Sequence, residues 1–137
     1  MSLLRNVSVP AIAIGLVTNM VTNIGTNLAL YLLMVSHGIP MNQIMPRMHS
    51  VSGLMLSSLY GIGFTVLSGY LAGRIAKRSP VVHGAVVGTA SVLLSLLCWE
   101  PGNPHWYVIL YYGSMVPAAM LGGYCAGRSA ARRVAVK

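Results

Sequence analysis

Four apolar runs, each long enough to cross a bilayer as a helix, constrain this chain more than any other feature of its sequence. They lie near Val9 to Val35, Val51 to Ile75, Val81 to Trp99 and Trp106 to Ala126. A hydrocarbon layer about 30 Å thick takes roughly 20 helical residues. Inside it every backbone polar group needs a partner from the chain itself, which leaves helices as the solution for runs of this length. The expected fold is therefore all-α, a single transmembrane domain of four helices. Proline and glycine mark the boundaries: Pro10 opens the first run, Ser79-Pro80 the third, and Pro101-Gly102-Asn103-Pro104 turns the chain into the fourth. Pro117 falls inside the fourth run, where a kink is expected. Composition agrees, because 55% of the 137 residues are apolar and only 7% charged, against roughly 25% charged in soluble domains.

Nine Lys and Arg against the single acid Glu100 give a formal charge of +8. On a soluble protein that balance would point to nucleic acid. Here the cations sit at the ends of apolar runs, so they read as topology signals and lipid head-group contacts, and no nucleic-acid partner is expected. Arg5, Arg74, Lys77, Arg78, Arg128, Arg132, Arg133 and Lys137 fall on one side and Arg47 alone on the other. The positive-inside rule then places both termini and residues 76–80 in the cytoplasm of a bacterial inner membrane, and exports residues 36–50 and 100–105. Trp99, Trp106, Tyr107, Tyr111 and Tyr112 are expected to form an aromatic belt at the outer boundary. The first run follows Arg5 as a signal peptide would. It is too long for one and lacks a small-x-small cleavage site, so it is expected to be retained. Cys98 and Cys125 end consecutive runs at opposite faces and are expected to be free thiols.

A short repeat relates residues 69–78, Gly-Tyr-Leu-Ala-Gly-Arg-Ile-Ala-Lys-Arg, to residues 123–132, Gly-Tyr-Cys-Ala-Gly-Arg-Ser-Ala-Ala-Arg, with seven of ten positions identical. Both copies end an even-numbered run on the same side, which suggests two hairpins related by a parallel pseudo-repeat. The first copy, followed by His83-Gly84-Ala85 and Gly88, resembles small four-span bacterial membrane proteins of the YrzE type. Those carry a similar Gly-aromatic-x-Ala-Gly-basic segment and a His-Gly-Ala start to the third helix. The resemblance covers about twenty residues; it implies four spans and carries no activity.

Small residues recur at spacings of three or four: Gly61, Thr65, Gly69 and Gly73; then Gly84 and Gly88 with Ser91 and Ser95; then Ala119, Gly123, Gly127 and Ala131. Such stripes allow close helix packing where water cannot drive association; thin walls around a pore are the alternative. The first run carries three Thr-Asn pairs, Thr18-Asn19, Thr22-Asn23 and Thr26-Asn27, spaced by four and centred near mid-membrane. Carboxamides facing lipid would lack partners, so this stripe must face protein or water. Two readings stay open: interhelical glue, or a polar path for an ion or neutral solute. In the loop 36–50, Met41, Met45 and Met48 with His37 and His49 form a set soft enough for Cu(I). Against this, Pro40 and Pro46 are expected to interrupt the helix that would align the thioethers, and a short interfacial helix or docking loop is the plainer reading. His83 and His105 read as interfacial histidines. Arg74, Lys77, Arg78, Arg128, Arg132 and Arg133 are candidates for lipid head groups or a partner.

Catalysis needs positioned acids, bases, nucleophiles or metal ligands. The one carboxylate side chain stands in an outer turn, so no enzyme and no cofactor is expected. Ion-coupled transport is disfavoured because the membrane interior expected from these runs holds no acid, Lys, Arg or central His. What remains is a structural or accessory subunit of a homo-oligomer or larger membrane complex, or a small channel or carrier lined by the Thr-Asn stripe.

Overall fold

In the computed structural model, residues 8–97 and 102–135 are described, the side chains only as far as residue 131. Arg5, Cys98, Trp99, Glu100, Pro101 and Lys137, with the side chains of Arg132 and Arg133, lie outside the described residues. The chain forms five helices: α1 (Val9–Ser36), α2 (Met41–Met48), α3 (Val51–Ala76), α4 (Pro80–Leu97) and α5 (His105–Ala135). All but α2 are long and apolar enough to cross a membrane. The fold is all-α with four candidate spans.

Local chemistry sets the boundaries. Pro10 sits in the first turn of α1, where its missing N–H costs nothing. Gly38, at φ +72°, and Pro40 end that helix and turn the chain into α2. Proline does not interrupt α2 as expected: Pro40 is its N-cap and Pro46 is carried inside it. The cap position asks nothing of the ring, and eight residues leave few intrahelical bonds for Pro46 to remove. The side chain that holds α2 down is Ile44, which is fully buried. Two residues later α3 starts, its N-cap Ser50 accepting the Gly53 N–H at 3.3 Å. Lys77 ends α3 in the left-handed conformation, Ser79 shares it at φ 47°, and Pro80 opens α4. Helix α5 runs on through Pro117 and past Ala126 to Ala135, longer than the apolar run alone suggested.

The spans alternate in direction, so α3 and α5 run parallel, and they make the most extensive contact in the molecule. Glycine makes that approach possible. A Cβ on Gly69 would strike the Ala119 carbonyl oxygen, one on Gly122 the Val66 carbonyl, and one on Gly73 would come 3.1 Å from the Gly123 Cα. Helix α4 enters the same crossing, where a Cβ on Gly84 would also meet the Ala119 carbonyl and one on Gly88 would lie 2.8 Å from the Val116 Cα. Small residues here serve backbone-to-backbone packing, the device that replaces hydrophobic association in lipid. Helix α1 packs on α3 and less on α4, and it does not approach α5. Its outer face, with Val17, Val21, Ile24, Leu28 and Leu32, is exposed. Apolar faces of this kind imply contact with lipid.

Candidate functional site

The polar side chains of α1 face α3 and α4 and border the gap that separates α1 from α5. The stripe divides by depth. Asn19, the deepest, is buried, and its Nδ2 donates to Ser91 Oγ on α4 at 3.0 Å. Its Oδ1 accepts from Thr65 Oγ1 on α3 at 3.5 Å and from Asn23 Nδ2 at 3.0 Å. One carboxamide thus ties three helices. Thr65 and Ser68, both fully buried, also donate to carbonyls of their own helix, Gly61 and Thr65. Higher on α1, Asn27 accepts from Tyr60 Oη at 2.7 Å and donates from Nδ2 to the Asn23 carbonyl at 3.0 Å. Thr18 and Thr22 donate to carbonyls one turn back, at Ile14 and Thr18, while Thr26 is half-buried.

Above Asn19 the gap widens into a cavity. Its deep part, about 190 Å³, is walled mainly by the apolar side chains of Leu16, Met20, Ile24, Leu94 and Met115, with Asn19, Asn23, Ser91, Ser95 and Tyr111 among them. Its mouth, about 470 Å³, shares Ile24, Ser95 and Tyr111 with the deep part and adds Asn27, Ser57, Tyr60, Asn103, Tyr107 and Tyr112. Met45, Met48 and His49 of the α2 segment form its rim. We call this space the vestibule.

Tyr107 and Tyr111 do not join an interfacial belt. Tyr107 is buried and Tyr111 half-buried, because a spacing of four places them on the α5 face that also carries buried Met115. Their rings stack at 5.4 Å and within 6° of parallel. Gly61 is the reason Tyr111 fits, since a Cβ there would fall 2.6 Å from its ring. Of the belt expected from the sequence, Trp106 remains on the surface. Every side chain lining the vestibule is formally uncharged with histidine neutral; hydroxyls, amides and tyrosine rings gather at the mouth, and apolar side chains prevail in the deep part. Asn103 lines the mouth, and its buried Oδ1 has no hydrogen-bond partner among the described residues, a state that costs free energy.

The vestibule is blind. Below Asn19, a Cβ on Gly15 would come within 3.1 Å of Val87 Cγ2, Ala72 Cβ and the Ser68 carbonyl, so α1, α3 and α4 close on each other. Beneath that seal, His83 is fully buried rather than interfacial. Its Nε2 accepts the Ser8 N–H at 2.9 Å, and its Nδ1 lies 3.1 Å from the Ser79 carbonyl, which pins the start of α1 to the α3–α4 turn.

The loop methionines and histidines divide between two places. Met41 Sδ accepts from Tyr31 Oη at 3.0 Å, and His37 Nδ1 lies 2.8 Å from the Leu33 carbonyl. Met45, Met48 and His49 stand at the vestibule rim, with His49 Nδ1 3.0 Å from the Met45 carbonyl. Among the described residues no group of three His, Cys, Asp or Glu is placed to hold a metal ion. At the opposite end of the molecule Arg74 and Lys77 line a separate cavity, while Arg128 lies over the Tyr124 ring at 5.4 Å. The free thiol of Cys125 is exposed.

Sequence reasoning singled out the asparagines but not Ser57, Tyr60, Asn103 or the inward tyrosines. The available signal was the 107, 111, 115 spacing on α5 opposite Gly61. Comparison of the chain with protein-family models, with curated proteins and with solved structures gives no match.

Proposed function

We propose that this is a non-catalytic membrane protein that takes up a small neutral polar solute in the vestibule, as a carrier or as the solute-binding subunit of a larger assembly. The observation that carries the reading is the group of hydroxyls and amides that line the mouth, Asn27, Ser57, Tyr60, Ser95 and Asn103, among the apolar side chains of a candidate membrane protein. A cavity intended only for packing would be filled by apolar side chains, because open polar groups are costly in lipid. The lining also narrows the solute. With no formally charged group in the wall, nothing balances a bare ion. Tyr107 and Tyr111 present their faces to each other, which removes them from a cation-binding cage. Hydroxyl and amide groups favour a neutral hydrogen-bonding solute such as a small polyol or amide. On the orientation expected from the basic residues, the mouth opens to the exported side.

A second reading, a structural subunit of a homo-oligomer or membrane complex, is supported by the blind end of the vestibule and by the Asn19 tie among α1, α3 and α4. Stopped-flow entry of glycerol, urea and erythritol into proteoliposomes separates the two. The carrier form predicts faster entry than in protein-free vesicles, reduced several-fold by Asn27→Leu and by Tyr60→Phe. If entry matches empty vesicles and none of the solutes shifts the melting temperature, solute binding is rejected and the structural role stands.

A further inference from the structure

At the end of the molecule opposite the vestibule, the turn between α3 and α4 and the facing stretch of α5 enclose a cavity of about 250 Å³. Its walls are Tyr70, Arg74 and Lys77 on one side and Ala126, Ser129 and Ala130 on the other; Gly73, Pro80 and Gly127 complete the lining. The glycines leave the space open: a Cβ on Gly73 would come 2.9 Å from Pro80 Cβ, and one on Gly127 would lie 3.0 Å from Pro80 Cγ. Arg74 falls in the last turn of a candidate span and Lys77 caps it, so both belong to the depth at which a lipid phosphate sits. Among the described residues no acidic side chain neutralises them; the single acid of the sequence, Glu100, lies outside the described residues. The repeat is not symmetric here. Arg128, the counterpart of Arg74, is stacked on Tyr124 and does not line the cavity. A second feature, with no lining residue in common with the first, begins one residue further along the chain. An open apolar groove of about 470 Å³ starts at Val81, the residue after Pro80, and follows α4 through Ala85, Thr89 and Leu93 against Met120 of α5.

We propose that this cavity and groove form a binding site for one anionic phospholipid, with its phosphate between Arg74 and Lys77 and an acyl chain along α4. Ser129 donates its hydroxyl proton to the Cys125 carbonyl at 2.9 Å, which leaves its lone pairs for a head-group hydroxyl. The uncompensated cations select negative charge, and the apolar groove selects a lipid over a free anion.

The test uses the full chain in detergent, offered an equimolar mixture of phosphatidylglycerol and phosphatidylcholine, with retained lipid read by native mass spectrometry. The expected result is a preference for phosphatidylglycerol of roughly fivefold for each cation that contacts it. R74Q/K77Q brings the preference to parity, while R128Q keeps it. A130W, which fills the cavity with both cations present, also abolishes it and guards against a double variant that fails to fold. Equal retention of the two lipids by the parent overturns the proposal, as does a preference that survives in A130W, which would mark diffuse charge attraction. Stabilisation by inorganic phosphate equal to that by phosphatidylglycerol overturns it in favour of a free anion. The outcome is independent of the vestibule, because R74Q/K77Q leaves solute entry unaltered.

Discussion

Among single residues, depth separates tie from contact surface. Asn19 is engaged on both ends of its carboxamide, with Ser91 on α4 receiving its Nδ2 and Thr65 on α3 beside its Oδ1. Replacing it with Leu leaves the buried Ser91 hydroxyl without that donor, while Thr65 keeps the Gly61 carbonyl; an orphaned polar group costs about 1–3 kcal/mol. Interhelical hydrogen bonds in membranes average only about 0.6 kcal/mol, so the lower end of that range is expected. Asn27 stands at the vestibule mouth with a single interhelical partner, Tyr60. We therefore expect Asn19→Leu to lower the melting temperature of the detergent-purified protein clearly more than Asn27→Leu. The reverse order would mean that the deep amide is not a structural tie. Gly61 offers a second comparison, since its neighbour is the Tyr111 ring and not a backbone. Gly61→Val should displace that ring into the vestibule, abolishing solute binding in calorimetric titration while the chain still folds. Unchanged binding would show that Tyr111 does not shape the site.

For the elements, the contrast lies between the tight α3–α5–α4 crossing and the loosely seated α1. Gly69 faces the Ala119 carbonyl, and neither backbone can yield without separating the helices. Gly63, on the same helix, has nothing within 4 Å of where its Cβ would stand. Gly69→Ala is thus expected to destabilise by about 1–3 kcal/mol through overpacking, whereas Gly63→Ala should be neutral or slightly stabilising through helix propensity. Parallel thermal melts decide the matter, and equal effects would contradict the packing described. Helix α1 borders the vestibule on one side and lipid on the other, and does not approach α5. Low local contact favours low local stability, so amides in its upper half should exchange with deuterium faster than those of α3 around Gly69. Equal protection would count against a separable α1. The four spans were legible in the sequence because lipid imposes a local rule: every backbone group must bond within its own helix, and that rule leaves a run of apolar residues. Helix α2 was not legible to the same degree. Its hold on the bundle is the burial of Ile44 by residues distant in sequence, and Pro46 alone argues against a helix.

At the scale of the whole molecule, the described residues hold four candidate spans, and the expectation from the basic residues is that both ends of the chain lie in the cytoplasm. Reporter fusions to the two termini should both be active inside the cell, and an exported terminus would reverse the direction in which the vestibule opens. The Thr-Asn stripe was visible as a polar face, because a spacing of four on a helix is arithmetic. Whether that face met protein or an open space was not visible, since the answer depends on how far α1 stands from α5. Spans, their alternation and the charge on each side follow from the sequence alone, through hydropathy and charge that act residue by residue. Tertiary structure alone decided that Asn19 joins α3 and α4, that Tyr107 and Tyr111 turn inward against Gly61, and that Arg74 and Arg128 part company. Each of these is a contact between helices, and in lipid such contacts are selected by shape and hydrogen-bond complementarity, which no single helix carries.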